Sequence, residues 1–446
     1  MRLTTAAQLT PPPGQLLHCI PVPVTQARPL PDTPPSFNQV NHALARGDTG
    51  GWLCVTLRMP EQVDRAALQA AFRGLLSRHE TLRTRVDLTT GTPTTVSFGT
   101  EIDCYVRESS LPDDPSARHA QLLALIDATT HSTTGPNLFG AAIEEPQGTY
   151  IVLAVDHGIA DAVSMPLLGR DFVQLYGASL RHSSLDPSGA GLPPVGSFLD
   201  ACRVEAADHT DPDDPRIAEW HDVFRRNSGG LPRFPLPEAA RRSDGIAAIE
   251  LRHTLTAAQT SAVERWARAH DARLPACLLA VCAHAVHRVG LGDEFATLLP
   301  VGTRSRADWA EAVGWFVSNG PVLIPGDLPL ERSVIHAQQQ VERAQLLAAM
   351  RLGDVIALYA PGFTHTGDVG MVSYVDYRRI PGHELHAALR MTQASPDAPT
   401  TDVQLWWVRD AAGLALRCRL PDTAGARRIV GDWLDQIERS LRQLAD

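Results

Sequence analysis

Three histidines in this chain stand four residues before an aspartate: His157 before Asp161, His182 before Asp186, and His209 before Asp213. That spacing suits acid–base work. An imidazole titrating near pH 6.5 is largely neutral and basic at cytosolic pH, and the carboxylate can hold its loop. With 17 His and 50 acidic residues, such pairs also arise by chance, so context decides. His182/Asp186 and His209/Asp213 lie in polar, turn-rich sequence that reads as solvated loop. His157 alone follows a fully apolar run, Thr149 to Val155. It precedes a helical pattern of Val163, Leu167, Leu168, Phe172 and Tyr176, with Pro166 in the first turn. A buried strand fixes the backbone and the turn after it opens the side chain to a cleft, so His157 is the candidate base.

Other chemistries find less support. All 40 basic residues are Arg, which removes a phosphate-binding lysine, a Schiff base and any catalytic lysine. No GxSxG elbow is present, and no Ser or Cys occupies a comparable strand–turn–helix context. His284 and His287 share a helical face at a spacing zinc accepts, but flanking Leu, Val and Ala favour structural histidines, and no metal is expected. Seven cysteines, at 19, 54, 104, 202, 277, 282 and 418, form no CxxC pair, which fits a reducing cytosol better than a disulfide framework. The net charge of -10 opposes nucleic acid and anionic membrane. No apolar run is long enough to span a bilayer and no secretory leader is visible, so the expected location is the cytoplasm.

The elements that must position His157 follow from periodicity. Residues 1–35 read as an extended Pro-rich lead-in. Alternation from Trp52 to Met59 predicts a strand, and Asp64 caps a helix whose apolar face is Leu68, Phe72, Leu75 and Leu76. A Pro-, Gly- and Asp-rich stretch over 185–237, holding one helix at 217–226, separates a first half at 36–184 from a second at 238–446. The second half predicts helices near 256–270, 275–289, 331–350 and 424–444. Its strands are expected at 295–301, 371–375, 386–392, 403–408 and 414–420. The length of 446 residues suits two domains or one pseudo-duplicated unit.

Five ordered blocks resemble the landmarks of condensation domains: SFNQVNHALAR (36–46), RHETLRTR (78–85), DHGIADA through Tyr176 (156–176), VGWFVSNGP (313–321) and MVSYVDYRRIPG (371–382). The first and the last two are most similar to the free-standing polyketide-associated (Pap) acyltransferases that esterify glycolipids. The resemblance implies an α/β fold with mixed sheets: two chloramphenicol-acetyltransferase-like subdomains in a V-shaped pseudo-dimer with a central tunnel. It makes His157 the general base and Asp161 an architectural residue, paired to Arg304 of PVGTRSR. Two positions depart from the family's HHxxxDG: Asp156 replaces the first His and Ala162 the Gly. Asp156 is expected to point away from His157 and to matter for packing; Ala162 implies a turn without positive φ.

The chemistry so implied is acyl transfer from a thioester to a hydroxyl or amine of a small-molecule natural product or glycolipid. The donor is acyl-CoA or an acyl chain on a carrier protein's phosphopantetheine, with no bound cofactor, and a monomer is expected. The Gly158 amide and the Ser373 hydroxyl are candidate oxyanion donors. Trp315, Phe316 and Asn319 are expected beside the tunnel, although core packing explains the two aromatics equally well. Tyr176 matches a family position and reads as a helix residue anchoring the catalytic loop. Arg378 and Arg379 suit a donor phosphate or a solvated strand end. The competing function is a catalytically inactive relative that recruits a carrier protein in a biosynthetic assembly line.

Overall fold

Apolar strands alternating with capped amphipathic helices build the chain, seen in a computed structural model that describes residues 1–46, 51–181, 190–242, 245–365 and 367–446. His182 and Asp186 lie outside the described residues. The first part runs β1 (Arg2–Leu3), β2 (Gln15–Pro23), β3 (Arg28–Leu30), α1 (Phe37–Arg46), β4 (Trp52–Met59), α2 (Arg65–Arg78), β5 (Thr84–Asp87), β6 (Thr94–Ser97), β7 (Ile102–Ser110), α3 (Pro115–Thr129), β8 (Phe139–Glu145), β9 (Gly148–Asp156), α4 (Ser164–Arg181) and α5 (Phe198–Ala207). It continues through α6 (Pro215–Arg226), α7 (Glu238–Arg241), β10 (Ala248–Thr256), α8 (Ala257–Arg268), α9 (Leu274–Arg288), β11 (Glu294–Gly302), β12 (Val317–Pro325), α10 (Leu330–Ala348) and α11 (Leu352–Tyr359). The last elements are β13 (Met371–Asp376), α12 (Leu385–Ala388), β14 (Thr392–Ala394), β15 (Gln404–Arg409), β16 (Gly413–Leu420) and α13 (Ala424–Ala445).

Contacts group these elements into two compact units, and the grouping is not purely sequential. The first holds Met1–Asp208, Thr303–Phe316 and Arg379–Pro396; the second holds His209–Gly302, Val317–Arg378 and Asp397–Asp446. In the first unit a seven-stranded mixed sheet has the order β1-β14-β4-β9-β8-β2-β7, beside a small sheet β3-β6-β5. All nine residues of β9 are buried, as its uninterrupted apolar run demands of a central strand. Asp64 caps α2 by accepting from the Ala67 amide at 2.8 Å. The Pro-rich stretch contributes β2, whose pairing with β8 spans Gln15–Cys19 and stops before Pro21 and Pro23. Those prolines therefore face only β7, and no donor is missing from the β8 ladder.

The second unit is a six-stranded mixed sheet in the order β10-β16-β15-β13-β11-β12. One face buries Leu405, Trp407, Leu416 and Cys418 in a core with Val281, Val430, Trp433 and Leu434 of α9 and α13. The strand expected over 386–392 is a correction. His386 lies in α12, built of good helix formers, and only Thr392–Ala394 is extended, paired with Thr56, Val55 and Cys54 of β4. That pairing partner is more than three hundred residues away, and local periodicity carries no trace of it.

Candidate functional site

Strand β9 carries His157 to the end of its ladder. Trp52 pairs with Asp156, and the His157 amide continues the ladder by donating to the Gly51 carbonyl at 2.6 Å. The chain then makes a single 3-10 turn, His157–Ile159, before α4. The imidazole is half-buried, and the Trp315 indole lies against it with ring centroids 4.2 Å apart. A second imidazole, His42 of α1, stands 5.9 Å from His157 and 5.8 Å edge-on to Trp315.

Asp156 organises the turn. Its Oδ1 accepts from the Gly158 amide at 2.7 Å and the Ser132 hydroxyl at 2.5 Å, and its Oδ2 lies 3.2 Å from His42 Nε2. The carboxylate is 2% exposed, so these contacts replace the hydration it loses. The Gly158 amide is thus already committed to Asp156, which corrects the expectation that it faces a developing oxyanion. Gly158 is also sterically required: a Cβ there would sit 2.7 Å from Asp156 Oδ1 and 3.1 Å from Ser132 Oγ. Outside glycine, positive φ occurs among the described residues at Ser228, Asp271 and Arg390, so Ala162 takes the family's glycine position with ordinary backbone.

Asp161 locks the other side of the turn. Arg304 donates through Nη1 to Oδ2 and through Nη2 to Oδ1, the latter at 3.0 Å. The Ser164 amide and hydroxyl reach Oδ1 at 2.9 and 2.8 Å, and the Phe316 amide reaches Oδ2 at 3.2 Å. Burial pushes this carboxyl up, but the Arg304 charge and the hydrogen bonds from Arg304 and Ser164 outweigh it, leaving Asp161 below the ordinary carboxylate range. The guanidinium lies 4.4 Å over the Phe316 ring. Ser164 Oγ in turn accepts from the Gly314 amide at 3.1 Å, stitching 312–316 to the start of α4. Beneath this segment Phe198, Cys202, Trp309, Ala312 and Phe316 form a small core with Trp315 against it. Phe316 is therefore a packing residue, and Trp315 is the aromatic that meets the imidazole.

The remaining residues singled out in the sequence fall elsewhere. The Tyr176 hydroxyl accepts from the Asp64 amide at 2.9 Å, tying α4 to the start of α2. The RHETLRTR block also anchors α4: Arg78 Nε and His79 Nε2 reach the buried Asp171 at 2.8 and 2.9 Å. Ser373 of β13 and Asn319 of β12 belong to the second unit, where Ser373 pairs with Trp406 and Asn319 with Pro300. Arg378 pairs with Asp376 at 2.8 and 2.7 Å on the exposed end of its strand. His287 meets Asp293 at 2.9 Å, and among the described residues no group of three His, Cys, Asp or Glu stands together as metal ligands. Among them, too, no helix is long and apolar enough to cross a membrane. Sequence reasoning missed His42 and Ser132; the signal was Asp156 itself, a carboxylate at a buried strand end that needs donors.

Residues 42–358 match the family model of the Condensation domain. The chain is 25% identical over 355 residues to "2'-acyl-2-O-sulfo-trehalose (hydroxy)phthioceranyltransferase PapA1" of Mycobacterium tuberculosis, covering 73% of this chain and 65% of that protein. The chain therefore spans just under two thirds of the length of the curated relative it matches. It is 24% identical over 339 residues to "Trehalose-2-sulfate acyltransferase PapA2" of the same organism, covering 72% of this chain and 70% of the relative. A solved structure, "PapA2 acyl transferase", superposes with a TM-score of 0.90 at 20% identity, covering 100% of both chains.

Proposed function

The chain belongs to the condensation-domain family, and from that membership we propose that it is an acyltransferase in which His157 draws the proton from an acceptor as it attacks a thioester carbonyl. The observation that carries the reading is the placement of this imidazole: at the end of a wholly buried strand, half-buried, against Trp315, on a turn pinned by two carboxylates. Such a site needs one base, because a thioester is already activated. The acceptor oxygen bonds to the carbonyl carbon as its proton passes to the imidazole. The tetrahedral intermediate collapses, the carbon–sulfur bond breaks, and the leaving thiolate takes the proton back as a thiol. Asp156 and Asp161 act on backbone and on Arg304, so they position the base rather than share its proton.

Acceptor and donor follow from chemistry and kinship. The relatives are named for acylating trehalose derivatives, which supports a sugar hydroxyl over an amine as acceptor. Acyl-CoA and an acyl carrier protein present the same pantetheine thioester, and either serves as donor. The departures at Asp156 and Ala162 favour a second reading, a non-catalytic recruiter of carrier protein. Against it, Asp156 has its own structural task and Ala162 needs no positive φ, so neither change disables the turn.

The test is thiol release from an acyl-CoA and from an acyl carrier protein in the presence of trehalose or its sulfate, for wild type and His157→Ala, with circular dichroism as fold control. A fall of about 10²–10⁴-fold in turnover is expected. Unchanged turnover in a folded variant moves the base elsewhere, and no transfer by wild type with either donor class favours the recruiter.

A further inference from the structure

The sheet of the second unit has two faces of different chemistry. The face away from α9 and α13 is arranged in rows by strand register. Ser373, Trp406, Arg417 and Leu251 pair across β13, β15, β16 and β10. Two residues along, Met371, Gln404, Arg419 and Ile249 form the next row. Directly paired residues share a face, so two arginines, a glutamine, a serine and an indole stand together where a sheet more often carries Val or Thr.

Arg417 is the unusual member. Its side chain is 5% exposed, yet Nε and Nη2 have no hydrogen-bond partner among the described residues. Its ion-pair partner, Asp397 Oδ1, is 4.0 Å from Nη2, beyond hydrogen-bond reach. Burial, and then the charge of Arg419, push the guanidinium down to about 10. The planar guanidinium lies over the Trp406 ring, its carbon 4.8 Å from the ring centroid. Nε and Nη2 form one edge of that plane, the edge whose two parallel N–H bonds match two oxygens of a single oxyanion. Gln404, 9% exposed and diagonal to Arg417, holds an Oε1 that likewise has no partner among the described residues. Two neighbouring buried polar groups left unsatisfied cost stability unless water or a ligand reaches them.

We propose that this row is a binding site for the oxyanion of a small polyhydroxylated ligand, with Arg417 donating from Nε and Nη2 to two oxygens of one sulfate, phosphate or carboxylate group. Gln404 Oε1 accepts from a neighbouring hydroxyl of the same ligand. The site stands on the geometry of the second unit and does not depend on the acyl-transfer reading.

Calorimetric titration of the intact protein with trehalose 2-sulfate, trehalose 6-phosphate, glucuronate and neutral trehalose tests the site and separates the three anion classes by which binds most tightly. At least one charged sugar should bind tenfold or more tightly than trehalose. Arg417→Gln should weaken it roughly tenfold to hundredfold while leaving trehalose unchanged. Arg417→Met should leave the ligand-free melting temperature unchanged or raised, since it removes two buried N–H groups with no hydrogen-bond acceptor among the described residues and only a 4.0 Å ion pair to Asp397. Crystals of wild type soaked in selenate should show an anomalous peak within hydrogen-bond distance of Arg417 Nε and Nη2, which decides the matter even where a variant misfolds. Equal affinity for neutral and charged sugars, unchanged affinity in folded Arg417→Gln, destabilisation by Arg417→Met, or selenate absent from Arg417 overturns the proposal.

Discussion

Replacing Arg304 by Met probes the turn beneath His157 at its most heavily loaded joint. Asp161 is 4% exposed and accepts from both terminal nitrogens of Arg304, so the substitution leaves a carboxylate in the interior with its counter-charge removed. The amides of Val163, Ser164 and Phe316 and the Ser164 hydroxyl remain, which keeps the site foldable. Met preserves much of the aliphatic volume over Phe316, so the loss is chiefly electrostatic. Breaking one side of a buried pair costs about 3–5 kcal/mol, a shift of roughly 1–2 M in a urea midpoint. The penalty has a pH signature. In wild type the Asp161 carboxyl titrates below its unfolded value, so its stabilisation is fully present above about pH 4 and is lost as pH falls through the folded value. In the variant burial is no longer opposed by Arg304 and the carboxyl rises, so protonation relieves the strain and the gap between the two proteins narrows in acid. Urea unfolding of wild type, Arg304→Met, Asp161→Asn and the double variant at pH 7 and pH 4.5 measures this. The double variant should lie at least about 2 kcal/mol below the sum of the singles. A single-variant cost under about 1 kcal/mol, or strict additivity, refutes the claim that this pair holds the turn.

Asp156→Ala strips partners from the Gly158 amide, Ser132 and His42, each worth about 1–3 kcal/mol when buried, so thermal unfolding should show a loss of several degrees. Asp156→Asn, which keeps an acceptor for Gly158, should retain more than half of that stability; equal losses for both argue against the capping role. Gly314→Ala places a Cβ 2.4 Å from Phe198 Cδ2 and should cost about 1–3 kcal/mol in the same assay, with Phe198→Ala in the double variant relieving part of it. Trp315→Phe keeps a ring against His157 and should hold kcat within about threefold, whereas Trp315→Ala should lower kcat by more than tenfold; steady-state kinetics separate them.

Much of the fold was legible because it is local. The strand into His157, the Asp64 cap, four helices of the second half (α8, α9, α10 and α13) and four of its strands (β11, β13, β15 and β16) follow from periodicity and capping chemistry, with ends within a residue or two of those expected, whereas β10, β12 and α11 have no counterpart in that reading. The pairing of Asp161 with Arg304, by contrast, spans 143 residues and was reached through family resemblance, since nothing in the local pattern of PVGTRSR points to a particular carboxylate. His42 has no local signature for the same reason: its partner Asp156 is 114 residues away. The strand expected at 386–392 failed because the extended segment is only three residues long and owes its conformation to β4. Arg417 carried no signal, because an arginine in an alternating strand reads as a solvent-facing residue until register shows which neighbours surround it.

Chemical rescue tests the central claim most directly. His157→Gly should lose turnover with an acyl thioester and a sugar acceptor, and added imidazole should restore it in proportion to its concentration, while equal additions leave wild type unaffected. If the folded glycine variant turns over at the wild-type rate, or stays inert at every imidazole concentration while other small bases of similar basicity restore activity to a different variant of the same turn, the proton does not pass through residue 157.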